Sequence, residues 1–171
     1  MHPVETEQES FGATTRIGEP AQAHVSTEAM PWVPITPGKW FRPIRFWTGG
    51  WSQLLRLAPG AGVALHRHTG PVEALVLAGH RRLDTGEVLG PGDHTYEPAG
   101  TVDAWYAVGD EDCVVHLRLE GSCEFLDGSG KVVSVLDART QAAAYLEWCR
   151  VEGLAPVVVD GAGTSRPAPL E

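Results

Sequence analysis

The chain has 171 residues, of which 43% are hydrophobic, and it carries a net charge of −9. A chain of this length and composition can bury one sizeable core, so we expect a single globular domain. The acidic balance and the lack of any basic run argue against nucleic acid and anionic membrane surfaces as partners. No apolar segment approaches the roughly 20 residues that a membrane-spanning helix needs.

The two ends of the chain differ in composition from its centre. Residues 1–28 are polar and have no hydrophobic period, which predicts a flexible arm. Residues 155–171 are rich in proline, glycine and alanine, which predicts a disordered tail, and residues 29–154 form the expected domain. Three cysteines without a Cys-x-x-Cys pair, together with the lack of an apolar N-terminal segment, lead us to expect a reduced, cytoplasmic protein.

Short strands are predicted along most of the central region. Prolines and aromatic residues alternate over residues 30–47, which favours extended structure. Short apolar runs then follow one another, separated by glycine and proline turns, and residues 127–130 (Asp-Gly-Ser-Gly) are typical of a hairpin turn. This pattern predicts an all-β sandwich or barrel. The predicted strands are 51–57, 63–68, 72–77, 95–97, 104–108, 113–120 and 131–136.

One helix is expected near the end of the domain. Asp137 is a favourable N-cap, and Gly153 is a plausible residue at which the helix stops. Ala143, Leu146 and Val151 are the predicted buried stripe.

His66 and His68 are the strongest candidates for chemistry. Side chains two residues apart in a strand point to the same face, so the two imidazoles lie side by side. Neutral imidazole binds Zn, Fe, Ni, Cu and Mn alike. Two imidazoles that face a carboxylate from another strand outline a metal site, and Glu73 and Asp103 are the candidate carboxylates. Trp105 shares a face with Asp103, which favours a hydrophobic or aromatic substrate.

The glycine framework around these residues resembles that of the cupin superfamily. The pattern Gly60-x5-His66-x-His68-x4-Glu73-x5-Gly79 is similar to the first cupin motif, with one residue fewer before the last glycine. The pattern from Gly92 to Asp103 (Gly-x5-Pro-x-Gly-x2-Asp) is similar to the second motif, except that Asp103 stands where the family usually has histidine. The resemblance implies a jelly-roll barrel with a short C-terminal helix, metal binding by His66, His68, Glu73 and Asp103, and assembly into a homodimer or homotetramer.

Three segments resemble the cupin branch that contains acetylacetone dioxygenase and 2,4'-dihydroxyacetophenone dioxygenase: residues 51–57, 66–70 and 96–102. This resemblance implies that Glu97 lies near the metal, as a catalytic base or as a partner of a ligand. Two histidines and one carboxylate also form the ligand set of non-haem Fe(II) oxygenases. We therefore expect a divalent transition metal, with Fe(II) favoured over Zn(II) and Mn(II).

The expected function is that of a metal-dependent dioxygenase. It would use O₂ to cleave a C–C bond in a small β-diketone or hydroxyaryl ketone. A non-oxidative metal cupin, such as a cyclase, isomerase or lyase, would use the same ligands. A third interpretation is a non-catalytic sensor that binds small molecules and retains a degenerate metal site.

Overall fold

The computed structural model describes residues 26–156, which fold into two antiparallel sheets and one α-helix. A short 3-10 turn at Thr27–Ala29 precedes the first strand, and helix α1 (Ala138–Glu152) follows the last one. The strands in chain order are β1 (Val33–Thr36), β2 (Lys39–Trp47), β3 (Gly50–Leu57), β4 (Gly62–His68), β5 (Val72–Ala78), β6 (His80–Leu83), β7 (Val88–Leu89), β8 (His94–Glu97), β9 (Val102–Val108), β10 (Cys113–Glu120), β11 (Ser122–Leu126) and β12 (Val132–Asp137).

Each sheet has six strands. Sheet A has the order β1-β2-β3-β10-β5-β8, and sheet B has the order β12-β11-β4-β9-β6-β7. From β8 to β11 every strand lies in the opposite sheet to the strand before it, as in a jelly roll, where the chain winds back and forth between two sheets. The predicted all-β jelly roll with a C-terminal helix is confirmed.

The core lies between the inner faces of the two sheets. In β10, Cys113, Val115, Leu117 and Leu119 are buried, while the residues between them face outward. This period of two is the pattern that one buried sheet face requires. Gly79 lets β5 turn into β6, because its φ of 61° is left-handed and a Cβ there would clash with the Asp112 carbonyl oxygen.

Helix α1 begins and ends where the sequence predicts. The Asp137 carboxylate accepts a hydrogen bond from the Thr140 backbone N–H, and the Thr140 hydroxyl accepts one from the Asp137 N–H. Gly153 ends the helix in a left-handed conformation with φ 68°.

The predicted buried stripe of α1 is wrong. Ala143 and Val151 are exposed, and Leu146 is only half-buried. The buried residues instead recur every three or four positions, starting in the first turn. That turn packs against the barrel, and its contact determines which side of the helix is buried. Its members are Ala138, Gln141, Ala142, Tyr145 and Cys149.

The predicted arm and tail fall almost entirely outside the described residues, so both remain predictions. Within residues 26–156, no helix is both long and apolar enough to cross a membrane.

Candidate metal centre

Strand β4 presents the two histidines to the interior of the barrel. His66 and His68 are only 3% and 5% exposed. On one side, His66 lies opposite Asp103 of β9, and on the other, His68 lies opposite Cys123 of β11. The second-motif turn also fixes β4, because the Gly100 N–H donates to the His68 carbonyl at 2.7 Å and the His68 N–H donates to the Thr101 carbonyl at 3.0 Å.

The imidazole nitrogens converge on one point. His66 Nε2 and His68 Nε2 are 3.0 Å apart. Two ligands bound at right angles to one ion with bonds of about 2.1 Å are separated by about 3.0 Å, so the pair fits a shared metal. The His66 Nδ1–H donates to the Ala64 carbonyl at 2.8 Å, which leaves the lone pair on Nε2. Burial lowers the pKa of His66 and so favours the neutral, ligating form.

Glu97, which lies on β8 of sheet A, is close to the two histidines of sheet B. Its Oε2 lies 3.2 Å from His68 Nε2, at ion-pair distance, yet makes no aligned hydrogen bond. Burial tends to raise the pKa of Glu97, but the contact with His68 and the positive charge of Arg81 outweigh it, so the pKa lies below its usual range. A buried carboxylate oxygen without an aligned hydrogen bond has a free lone pair, which could bind a metal ion or accept a proton from a substrate.

Cys123 is a third potential ligand that sequence reasoning missed. Its Sγ and one ring nitrogen from each of His66 and His68 all lie within 4.8 Å of one another, and all three residues are buried. Burial raises the pKa of the Cys123 thiol to about 12, with help from the negative charges of Glu97 and Glu124. The sequence signal is faint: Cys123 and Phe125 alternate with polar residues in β11, and only the pairing of β11 with β4 brings them to the histidines.

Asp103 faces inward but does not join this convergent set. Burial and the negative charges of Glu97 and Asp84 raise the pKa of Asp103 to about 6.

Glu73 is not brought to the histidines. It is exposed on the outer face of β5, where it lies opposite Arg118 of β10, whereas its neighbours Val72 and Ala74 are buried in the core. The buried residues remain even-numbered across the turn between β4 and β5, so Glu73, five residues after His68, points outward.

A cavity of about 230 Å³ opens beside the histidines and Glu97. Most of its lining is apolar, and Trp105 is part of it, in agreement with the sequence analysis. The Arg81 guanidinium is buried at its edge, 5.0 Å from the centre of the Trp105 ring, and donates to the Thr95 hydroxyl at 2.9 Å. The site therefore combines potential metal ligands, one carboxylate and one buried positive charge within a largely apolar space.

Solved structures with the same fold have names that describe different kinds of protein. An RmlC-like cupin protein from Ralstonia eutropha JMP134 is 25% identical, with 80% of this chain and 92% of that chain covered and a TM-score of 0.72. An acetylacetone dioxygenase from Acinetobacter johnsonii is 18% identical, with 78% and 97% covered and a TM-score of 0.69. The structure of Rhodobacter sphaeroides SigE in complex with the anti-sigma ChrR contains a chain that is 23% identical, with 56% and 52% covered and a TM-score of 0.50.

The comparison of sequences points to one family. No curated protein matches the chain. The ChrR cupin-like domain family matches residues 20–121, which is more than half of the sequence and contains β1 to β10. Both cupin motifs and the histidine pair lie inside that range. The chain therefore belongs to the ChrR cupin-like family of cupins.

Proposed function

We propose that this protein is a metal-dependent cupin dioxygenase that cleaves a C–C bond in a small β-diketone or hydroxyaryl ketone. The observation that carries the proposal is the convergence of His66 Nε2 and His68 Nε2, 3.0 Å apart, with the Glu97 carboxylate 3.2 Å from His68 in a buried cavity. A bound divalent ion, Fe(II) or alternatively Zn(II) or Mn(II), would supply Lewis acidity toward the substrate oxygens and, as iron, redox chemistry with O₂.

Glu97 is the base in this proposal. Because its pKa lies below the usual range, the carboxylate is ionised at neutral pH and can accept the acidic proton between two carbonyl groups. Glu97 lines the cavity beside His68, so its carboxylate would be within reach of a substrate bound there. Removing that proton leaves a planar enolate, an anion that the positive charge of the buried Arg81 side chain in the cavity lining would stabilise.

The walls of the cavity select the substrate. Trp105, Leu119 and Phe125 contribute apolar surface that excludes water and holds alkyl or aryl groups. A volume of about 230 Å³ is below the roughly 300–1,000 Å³ of sites for drug-sized ligands, so the substrate is small.

The test is O₂ uptake by protein loaded separately with Fe(II), Zn(II) and Mn(II), with acetylacetone and 2,4'-dihydroxyacetophenone as substrates. We expect uptake equimolar with loss of the ketone in at least one form. Glu97→Gln should lower kcat by roughly 100-fold or more, the usual contribution of a general base, while it retains the metal. The control, Glu73→Gln, changes an exposed carboxylate outside the cavity and should leave kcat unchanged. Absence of uptake with every metal, or full activity of Glu97→Gln, would overturn the proposal.

A second candidate function is a non-catalytic metal-binding sensor. The observation that favours it is the Cys123 thiol beside the two histidines, because a soft thiolate ligand favours Zn(II), an ion that has no redox chemistry with O₂. Stoichiometric metal without turnover of either substrate would support this alternative.

A further inference from the structure

The second cupin motif of this chain lacks its histidine, and the structure shows what surrounds the vacated ligand position. Asp103 occupies the motif position, opposite His66, but it is not among the residues whose ligand atoms lie within 4.8 Å of one another at the histidines. To bind a metal beside His66, the Asp103 carboxylate would have to move toward the histidines as a second buried negative charge near Glu97.

Cys123 reaches the same two histidines from the other side of β4. It lies directly opposite His68, is 5% exposed, and its Sγ is within 4.8 Å of the ligand nitrogens of both histidines. Metal–sulfur bonds of about 2.3 Å and metal–nitrogen bonds of about 2.1 Å place sulfur and nitrogen roughly 3.1–3.6 Å apart on one ion.

We propose that Cys123 has taken over the ligand position that the second motif gives to histidine, so that His66, His68 and Cys123 hold the metal and Asp103 does not. This proposal rests on the metal centre of the proposed function. Two neutral imidazoles and one thiolate leave a divalent ion with a single positive charge, the same as a carboxylate in that position would leave. The chemical difference is softness, since thiolate favours thiophilic ions such as Zn(II) and Co(II) over Mn(II).

Titration of the metal-free full-length protein with Co(II) tests the proposal, because cobalt bound to thiolate gives an intense near-ultraviolet charge-transfer band that nitrogen and oxygen ligands do not give. Wild-type protein should bind one Co(II) and develop the band. Cys123→Ser should lose the band and bind Co(II) at least about tenfold more weakly. Losing a residue that only hydrogen-bonds to a ligand lowers metal affinity roughly 10–100-fold, and losing the ligand itself should lower it further.

Two matched variants complete the experiment. Cys149→Ala removes a buried thiol from helix α1, and Asp103→Asn removes the carboxylate of the second motif; both should keep the band and the affinity. A wild-type complex without the band, or a band that persists in Cys123→Ser, would overturn the proposal. So would loss of binding in Asp103→Asn with normal binding in Cys123→Ser. If wild-type protein binds no Co(II), the metal centre of the proposed function fails as well.

The wild-type spectrum decides whether sulfur is bound even if a variant does not fold. Circular dichroism of each variant separates loss of a ligand from loss of the barrel.

Discussion

The carboxyl of Asp103 imposes a pH dependence on the stability of the metal-free protein. Its pKa is raised to about 6, so the folded chain holds this proton more tightly than the unfolded chain, where the pKa is near 3.8. Between about pH 4 and pH 6 the folded state binds more protons, and the free energy of unfolding contributed by this group therefore falls as the pH rises. Above that range the folded state carries a buried charge.

Asp103→Asn should remove this penalty, because asparagine cannot ionise. We expect the free energy of unfolding of metal-free protein to rise by about 1–3 kcal/mol at pH 8, since each unit of pKa shift corresponds to about 1.4 kcal/mol. Wild type and variant should differ little at pH 4. Urea unfolding at the two pH values measures the effect, and a difference that is the same at both would refute this explanation.

Individual residues also show how much of the site could be predicted. The side-by-side arrangement of His66 and His68 follows from their spacing, because two residues in one strand share a face whatever the strand pairs with. The outward position of Glu73 agrees with the same alternation, because the buried residues stay even-numbered from His66 to Val76. Its assignment as a ligand came from the resemblance to the first cupin motif and not from the strand period. Cys123 is about 55 residues from the histidines, and its proximity depends on strand pairing that no local pattern encodes.

Among the elements, helix α1 is joined to sheet A by a buried hydrogen-bond chain. Trp51 Nε1–H donates to Gln53 Oε1 at 3.0 Å, and Gln141 Nε2–H donates to the same oxygen at 2.8 Å. Both amides line the cavity. The helix therefore closes one part of the cavity wall.

Gln141→Leu should weaken this attachment, because it removes a buried hydrogen bond and leaves Gln53 with one donor fewer. We expect a loss of about 1–2 kcal/mol in the free energy of unfolding. Ala144→Leu, on the exposed side of the same helix, should change it by no more than about 0.5 kcal/mol. Equal urea midpoints for the two variants would show that the chain of amides does not hold the helix.

The sequence pattern predicted the buried faces of the strands correctly, but it did not predict the buried face of the helix. Alternation in segments such as 113–120 identifies the inner face of a strand directly, since each sheet has one buried side. For α1, the cap residues Asp137 and Gly153 determine where the helix starts and stops. They carry no information about which side of it meets the barrel, and this is why the predicted stripe was wrong.

The outer face of sheet B is the candidate surface for the association of several chains. Val133 and Val135 of β12 are 61% and 50% exposed, and Leu65 of β4 and Val102 of β9, two and three strands away in the same sheet, are also exposed. Exposed apolar side chains on one sheet face are typical of a contact surface. They support the homodimer or homotetramer that the resemblance to cupins implies.

We expect light scattering after gel filtration to give a mass of two or four chains at micromolar concentration. Val133→Lys combined with Val135→Lys should shift the mass to that of one chain, because two buried positive charges would oppose association. Leu77→Lys, on the outer face of sheet A, is the control and should leave the mass unchanged. A wild-type mass of one chain would contradict this prediction.

The metal content of the purified protein is the most direct test of a metal site at His66 and His68. Wild-type protein exposed to Fe(II), Zn(II) and Mn(II) should retain a transition metal at close to one ion per chain. His66→Ala with His68→Ala should retain almost none, while His116→Ala, which removes a histidine from the outer face of β10, should match wild type. A folded wild-type protein that holds no metal, or a double variant that holds as much as wild type, would contradict metal binding by His66 and His68.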